Sequence, residues 1–320
     1  MAEKDALSSS ELIGHIQDSD SFHVPRFMTP DGSGHIYLPQ PLAKVATGAD
    51  GQPLTDHHGH PVYEEIWRPN TKYEIVNNTI EPIQLKLTKF MVLEVVVALI
   101  MCVLFIGLAQ RIRGGARPRG RIWNMLEAIL IYLRNNVARP AIGSHDADRF
   151  MPLIWTIFFF VLGCNLMGML PWAGSPTGAL GVTSALALVT FLTVVGSGMK
   201  KLGPVKFWKA QVPHMDLPKP IAIFLVPLIF FIEVLGMGIK HFVLAVRLWA
   251  NMTGGHMTLA VLMAFIAVTA GNLVLWFGVM PVSVIGATAV NLLELLVALI
   301  QAYIFTFLTA LFIGMAVHPH

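Results

Sequence analysis

Apolar runs long enough to cross a lipid bilayer constrain this chain more than any other feature of its sequence. A transmembrane helix needs about 20 predominantly apolar residues. Five such runs follow one another after residue 87, at about 88–110, 150–170, 182–199, 221–268 and 282–316. The last two exceed one bilayer thickness and must tilt to fit. The sequence therefore predicts an all-α, polytopic membrane domain over residues 86–320, with about five transmembrane helices.

Charge is scarce and unevenly placed, which agrees with a membrane protein. Only 13% of the residues are charged, against about 25% in soluble domains. Residues 1–85 are polar and predict an extramembrane tail with a strand near residues 62–67. His57, His58 and His60 raise the possibility of a metal site in this tail. Short polar tracts of this kind are typical of solvated loops, so no metal site is expected.

Basic loops set the expected orientation in the membrane. Residues 111–121 contain five arginines, and lysines cluster in residues 200–219. The positive-inside rule places both loops in the cytoplasm, two crossings apart. The N-terminus is then outside and the C-terminus cytoplasmic. Between the loops, residues 122–137 have the pattern of an amphipathic helix lying on the membrane surface.

Four charged residues interrupt the apolar sequence after Lys219: Glu233, Lys240, Arg247 and Glu294. A charge at mid-membrane costs at least ~2.5–3.5 kcal/mol on insertion scales, so such residues are functional candidates. The first three are seven residues apart and share nearly one helix face. Arg247 is the hardest to explain structurally, because arginine stays protonated and no carboxylate lies one turn away.

A second polar stripe is predicted on the last helix. Asn251 continues the stripe of Arg247, while Asn291, Glu294 and Gln301 lie three and seven residues apart. Two polar stripes on two long antiparallel helices indicate an aqueous or ion-carrying interface.

His256 lies apart from the first stripe, about 180° around the helix from Arg247 and ~13 Å along it. A lone intramembrane histidine is often a packed core residue. Histidine and a carboxylate are also the usual parts of a proton relay, and Glu294 on the next helix is the candidate partner for His256.

Structural roles are the alternative for the other polar residues of this region. Lys240 and His241 are expected to extend toward the cytoplasmic interface. Glu233 could serve only as an ion-pair partner of Lys240.

Several segments resemble subunit a of F-type ATP synthases. Residues 247–252, Arg-Leu-Trp-Ala-Asn-Met, resemble the family's Arg-Leu-Phe-Gly-Asn-Met. Residues 165–171 resemble its Asn-Leu-Leu-Gly-Leu-Ile-Pro, and residues 299–305 its closing Leu-Gln-Ala-Phe-Ile-Phe. Glu233 lies where the family places a glutamate. The resemblance covers residues 85–316 in family order.

The resemblance implies a non-catalytic proton-channel subunit of the inner, energy-coupling membrane. It implies a ring of c subunits and the b and b′ stator subunits as partners. Two half-channels would carry protons to and from the ring, and Arg247 would be the gate between them. The remaining implied residues are Glu233, His256 and Glu294 as proton carriers and Asn251, Gln301 and Asn165 as supporting polar groups. Many bacterial members carry the His256 and Glu294 pair in reverse.

Other functions predict different features. A secondary transporter would be active as this chain alone. A membrane haem enzyme would need facing histidine pairs, and only His241 and His256 are available. The phosphate-binding Gly-Lys-Ser/Thr loop is absent from the sequence, so the chain is not expected to make ATP itself. No cofactor and no nucleic acid are expected.

Overall fold

The structure is a computed structural model, and it describes residues 87–113, 120–170, 173–212 and 219–318, with short segments in the N-terminal region. Those segments form three antiparallel strand pairs: β1 (Ser21–His23) with β2 (His35–Tyr37), β3 (Ala43–Val45) with β4 (Tyr63–Glu65), and β5 (Tyr73–Val76) with β6 (Thr79–Pro82). Strand β4 confirms the strand predicted near residues 62–67. The histidines at 57, 58 and 60 lie outside the described residues.

Five long apolar helices confirm the predicted fold class. Each has the length and composition to cross a membrane, so the chain is a polytopic, almost entirely helical membrane protein. They are α1 (Lys89–Ile112), α4 (Ala147–Gly168), α5 (Leu180–Leu202), α7 (Lys219–Thr269) and α8 (Leu273–Val317).

Short helices connect the long ones. Helix α2 (Arg121–Tyr132) continues through a π-helical turn at Leu133–Ala138 into α3 (Arg139–Ile142), where residues 122–137 were predicted to be amphipathic. The buried residues of α2 and the π-helical turn include Leu126, Leu133 and Val137. A 3₁₀ turn at Pro176–Gly178 precedes α5, and α6 (Pro204–Ala210) follows it.

The last helix begins earlier than the sequence pattern predicted. The sequence predicts breaks near Gly271–Asn272 and Met280–Pro281 and a span from residue 282. The first break is present, but α8 begins at Leu273 and contains Pro281. Asn272 caps it, since its side-chain oxygen accepts hydrogen bonds from the backbone N–H groups of Val274 and Leu275. Proline removes only one backbone donor, which membrane helices tolerate when the neighbouring structure compensates.

Helices α7 and α8 form an antiparallel hairpin against which α4 and α5 pack, and α1 packs on the outside of α4. The buried core contains side chains from α4, α7 and α8, including Ile154, Val161, Leu248, Phe305 and Ile313. The hairpin is therefore the element to which α4 and α5 attach, and α1 is joined to it through α4.

Gly314 lets the end of α8 pack directly against α3. A Cβ added at Gly314 would overlap the carbonyl group of Ala141. By contrast, a Cβ at Gly278 on the same helix would meet nothing within 4 Å.

We expect Gly314→Ala to lower the stability of the membrane domain by about 1–3 kcal/mol, because the added methyl group forces the two backbones apart. Gly278→Ala should be neutral or slightly stabilising, since alanine favours a helix over glycine by up to ~1 kcal/mol. The measurement is the midpoint temperature for thermal unfolding of the detergent-solubilised protein. Equal midpoints for the two variants would contradict the close packing.

Candidate functional site

The two polar stripes meet at one side-chain hydrogen bond within the hairpin. The Asn251 amide on α7 donates to the Gln301 side-chain oxygen on α8, at 3.1 Å. Gln301 is buried, so its amide group is shielded from lipid. The predicted encounter of the two stripes is present at this point.

Seven residues from Gln301, the carboxylate of Glu294 lies against α7. His256 Nδ1 is 3.6 Å from Glu294 Oε1, and Glu294 is only 3% exposed. Within the described residues, neither carboxylate oxygen nor His256 Nε2 has a hydrogen-bond partner. Burying such groups unpaired is costly. A base and an acid held this close, with unused hydrogen-bonding atoms, are suited to exchanging protons through a small movement or a water molecule.

A glycine makes this approach possible. A Cβ at Gly255 would lie 2.9 Å from Glu294 Oε1, closer than such contacts normally come. The Glu294 side chain therefore occupies the space that a larger residue 255 would fill.

Arg247 lies at the border between the packed and the open face of α7. Leu244 and Leu248 beside it are buried, whereas Arg247 itself is half-buried and Ala250 is exposed. No hydrogen bond or ion pair holds its guanidinium among the residues that the structure describes. The structure thus leaves the permanent charge of Arg247 available to a group outside this part of the chain.

Asn165 supports the hairpin from α4. Its buried amide donates to the Ala298 carbonyl of α8 at 3.3 Å, and its side-chain oxygen accepts from the Thr177 hydroxyl at 2.7 Å. The hydroxyls of Thr177 and Ser175 lie 2.8 Å apart. Thr253 of α7 donates to the Gly178 carbonyl at 3.3 Å. The 3₁₀ turn is thereby bonded to both α4 and α7.

Sequence reasoning missed Ser175, Thr177 and Thr253. The available signal was the polar Ser-Pro-Thr-Gly run at residues 175–178, between two apolar spans. Such a run has hydrogen-bonding groups that must find partners at membrane depth.

Glu233 and Lys240 face each other on α7. Their charged atoms are 4.0 Å apart, and both side chains are nearly half exposed. This distance is at the limit for an ion pair, and exposed pairs contribute only about 0–1 kcal/mol. Lys240 is exposed.

The expectation that His241 extends toward the interface was wrong. His241 is buried, and its Nδ1 lies 2.9 Å from the Met237 carbonyl oxygen. Its ring packs against Phe191 of α5 and Phe312 of α8. One helical step of about 100° separates it from Lys240 and turns it toward the packed face.

A small cavity between α5, α7 and α8 is lined by the side chains of Glu233, Lys240 and His241. Its volume is about 70 Å³, enough for a few water molecules. Its lining also includes Gln211. Within the described residues, Nε2 of His241 has no hydrogen-bond partner. This end of α7 therefore carries a second polar site, separate from the His256 and Glu294 pair.

Comparison with known proteins identifies the family. The family model described as ATP synthase A chain matches residues 91–314. The chain belongs to this family. It is 38% identical to ATP synthase subunit a of Myxococcus xanthus (strain DK1622), over 74% of this chain and 76% of that protein. It is also 38% identical to ATP synthase subunit a of Chloroherpeton thalassium (strain ATCC 35110 / GB-78), over 73% and 67%.

A further relative reaches into the N-terminal region. ATP synthase subunit a 2 of Chlorobaculum tepidum (strain ATCC 49652 / DSM 12025 / NBRC 103806 / TLS) is 31% identical over 97% of this chain and 88% of its own length. As a member of the ATP synthase A chain family, the chain is a membrane-sector subunit of an F-type ATP synthase and works in a complex with other subunits. All the candidate site residues lie within the matched range.

Removing the Thr177 hydroxyl should weaken the anchoring of α8 by α4. We expect Thr177→Val to cost about 1–3 kcal/mol, because it leaves the buried Asn165 oxygen without its donor. Thr177→Ser keeps the hydroxyl and serves as the matched control. Thermal unfolding of the solubilised complex measures both, and equal effects would show that the hydrogen bond is unimportant.

Proposed function

We propose that this chain is the proton-translocating stator subunit of its ATP synthase, with Arg247 separating two half-channels at the surface that faces the ring of c subunits. The observation that carries the proposal is the position of Arg247, which has no hydrogen-bond or ion-pair partner in the described part of the chain, between two polar sites within one helical hairpin.

The two polar sites lie on opposite sides of Arg247 along α7. Glu233 precedes Arg247 by fourteen residues, about 21 Å of helix, and His256 follows it by nine, about 13 Å. Neither site reaches the other without passing the level of Arg247. This separation favours two half-channels and argues against one continuous pore.

The lysine loop before α7 indicates on which side of the membrane each polar site lies. The positive-inside rule makes that loop cytoplasmic, so the cavity with Glu233, Lys240 and His241 belongs to the cytoplasmic half-channel. The buried pair of His256 and Glu294 belongs to the half-channel open to the outside. Neutral His256 can accept a proton, and Glu294 can bind or release one, so the pair can pass protons inward toward the ring.

Arg247 acts as a fixed cation. Arginine is not deprotonated in proteins, so it repels a proton that would otherwise pass directly between the half-channels. A ring carboxylate that arrives opposite Arg247 is favoured in its ionised form and releases its proton. Asn251, bonded to Gln301, keeps polar groups beside the guanidinium without neutralising it.

Small residues leave room for a partner helix beside Arg247. A Cβ at Gly236 or Gly254 would meet nothing within 4 Å, and Ala250 between them is exposed. Small residues allow membrane helices to approach closely. This open strip on α7 fits the outer helices of a turning ring.

The same proposal covers partners, location and catalysis. The chain contacts the c subunits through α7 and α8 and is held by the b and b′ stator subunits. It lies in the inner, energy-coupling membrane with its C-terminus in the cytoplasm. The chain itself is non-catalytic, and ATP is made by other subunits of the complex.

Arg247→Ala should abolish ATP-driven proton pumping while the complex stays assembled, because the gate charge is lost and the half-channels are no longer separated. A pH-sensitive dye in inverted membrane vesicles measures the pumping. Lys206→Ala, which removes an exposed cation outside α7, should pump normally. Pumping by Arg247→Ala at the level of this control would overturn the gate assignment.

Exchanging the relay residues tests the outer half-channel. The double variant His256→Glu with Glu294→His should retain more pumping than either single variant, since it keeps one acid and one base at two positions whose side chains lie 3.6 Å apart in this structure. The same vesicle assay compares the three. A double variant no better than the singles would show that the two residues do not act as a pair.

A further inference from the structure

A cleft lies between the beginning of α4 and the end of α5, away from the hairpin interface. Its volume is about 400 Å³. It is lined by Asp146, Arg149, Phe150, Thr193, Gly196, Ser197, Lys200, Lys201 and Val317. The proposed half-channels do not use it.

The charges at the mouth of the cleft do not cancel. Asp146 binds Lys201, and its carboxylate also lies 3.1 Å from His318 Nε2. The hydrogen bond from Lys201 holds the pKa of Asp146 below its usual range, so this carboxylate is ionised at neutral pH. It is already paired with Lys201. Arg149 and Lys200 line the same cleft, and no carboxylate within the described residues pairs with either.

The floor of the cleft is apolar and continues along the membrane helix. Phe150 and Val317 line it, and a Cβ at Gly196 would meet nothing within 4 Å. Leu192 and Val189 lie one and two turns before Gly196 on nearly the same face of α5. Both are more than half exposed.

We propose that this cleft binds one anionic phospholipid of the bilayer. Its phosphate lies between Arg149 and Lys200, and an acyl chain runs past Gly196 along Leu192 and Val189. Basic pockets between transmembrane helices on the cytoplasmic side are suited to anionic headgroups. The apolar floor favours a lipid over free phosphate, because phosphate alone would leave that surface unfilled.

Photolabelling of the intact complex in membranes tests the site. The probes are phosphatidylglycerol and phosphatidylcholine carrying the same photoreactive group on the acyl chain, and the label is mapped within α5. In the wild type, we expect the anionic probe to label α5 in preference to the zwitterionic one. Each cation removed should lower that preference roughly fivefold, so that Arg149→Gln with Lys200→Gln abolishes it.

Two matched glycine variants test the groove. Gly196→Leu should fill the cleft and reduce labelling by the anionic probe. Gly181→Leu, at the other end of α5 and equally free of neighbours, should not. If Gly196→Leu fails to assemble, Arg149→Gln with Lys200→Gln still tests the proposal. Arg149 and Lys200 are exposed, so replacing them should not disturb folding. The control for this double variant is Lys209→Gln, which removes a positive charge outside the cleft on the cytoplasmic side of the membrane.

Three results would overturn the proposal. One is equal labelling of α5 by the two probes in the wild type. Another is binding of millimolar inorganic phosphate that depends on Arg149 and Lys200 without preferential labelling by the anionic lipid probe, which would make the cleft a phosphate site only. The third is a cross-link from the Lys200→Cys variant to an acidic segment of another subunit, with no effect of Arg149→Gln with Lys200→Gln on lipid labelling.

Discussion

The structure depends on one constraint, which is that polar side chains at membrane depth must find partners within the protein. The hydrogen bond between Asn251 and Gln301 meets this constraint. Each helix of the hairpin carries a polar stripe that would be costly to expose to lipid. Packing α7 against α8 places amide against amide and His256 against Glu294. The hairpin thus pairs polar side chains of its two helices within the protein.

The surrounding helices fix this hairpin through similar contacts. Asn165 bonds the α8 backbone at Ala298, and the turn at Pro176–Gly178 bonds Thr253 of α7. Where α8 meets α3, Gly314 removes the side chain that would keep the backbones apart. Rigid positioning matters for the proposed gate, because a displacement of about 1 Å changes which groups can exchange a proton.

The unpaired groups are as informative as the paired ones. Glu294 is buried with both oxygens lacking a hydrogen-bond partner in the described residues, and the His241 Nε2 atom is in the same situation. Such groups are expensive in a purely structural role. Their positions on either side of Arg247 follow the division into two half-channels proposed for this family member.

The sequence by itself determined the membrane class, the five long helices and the positions of the charged residues that interrupt them, because apolar length and isolated charges are local features of the chain. Residue spacing also placed Asn251 beside Arg247. Tertiary structure alone decided that His241 is buried and that Pro281 lies inside α8. It also decided that Thr177 bonds Asn165. These outcomes depend on which helix packs against which face, and helical periodicity assigns a residue to a face without naming the neighbour that covers it.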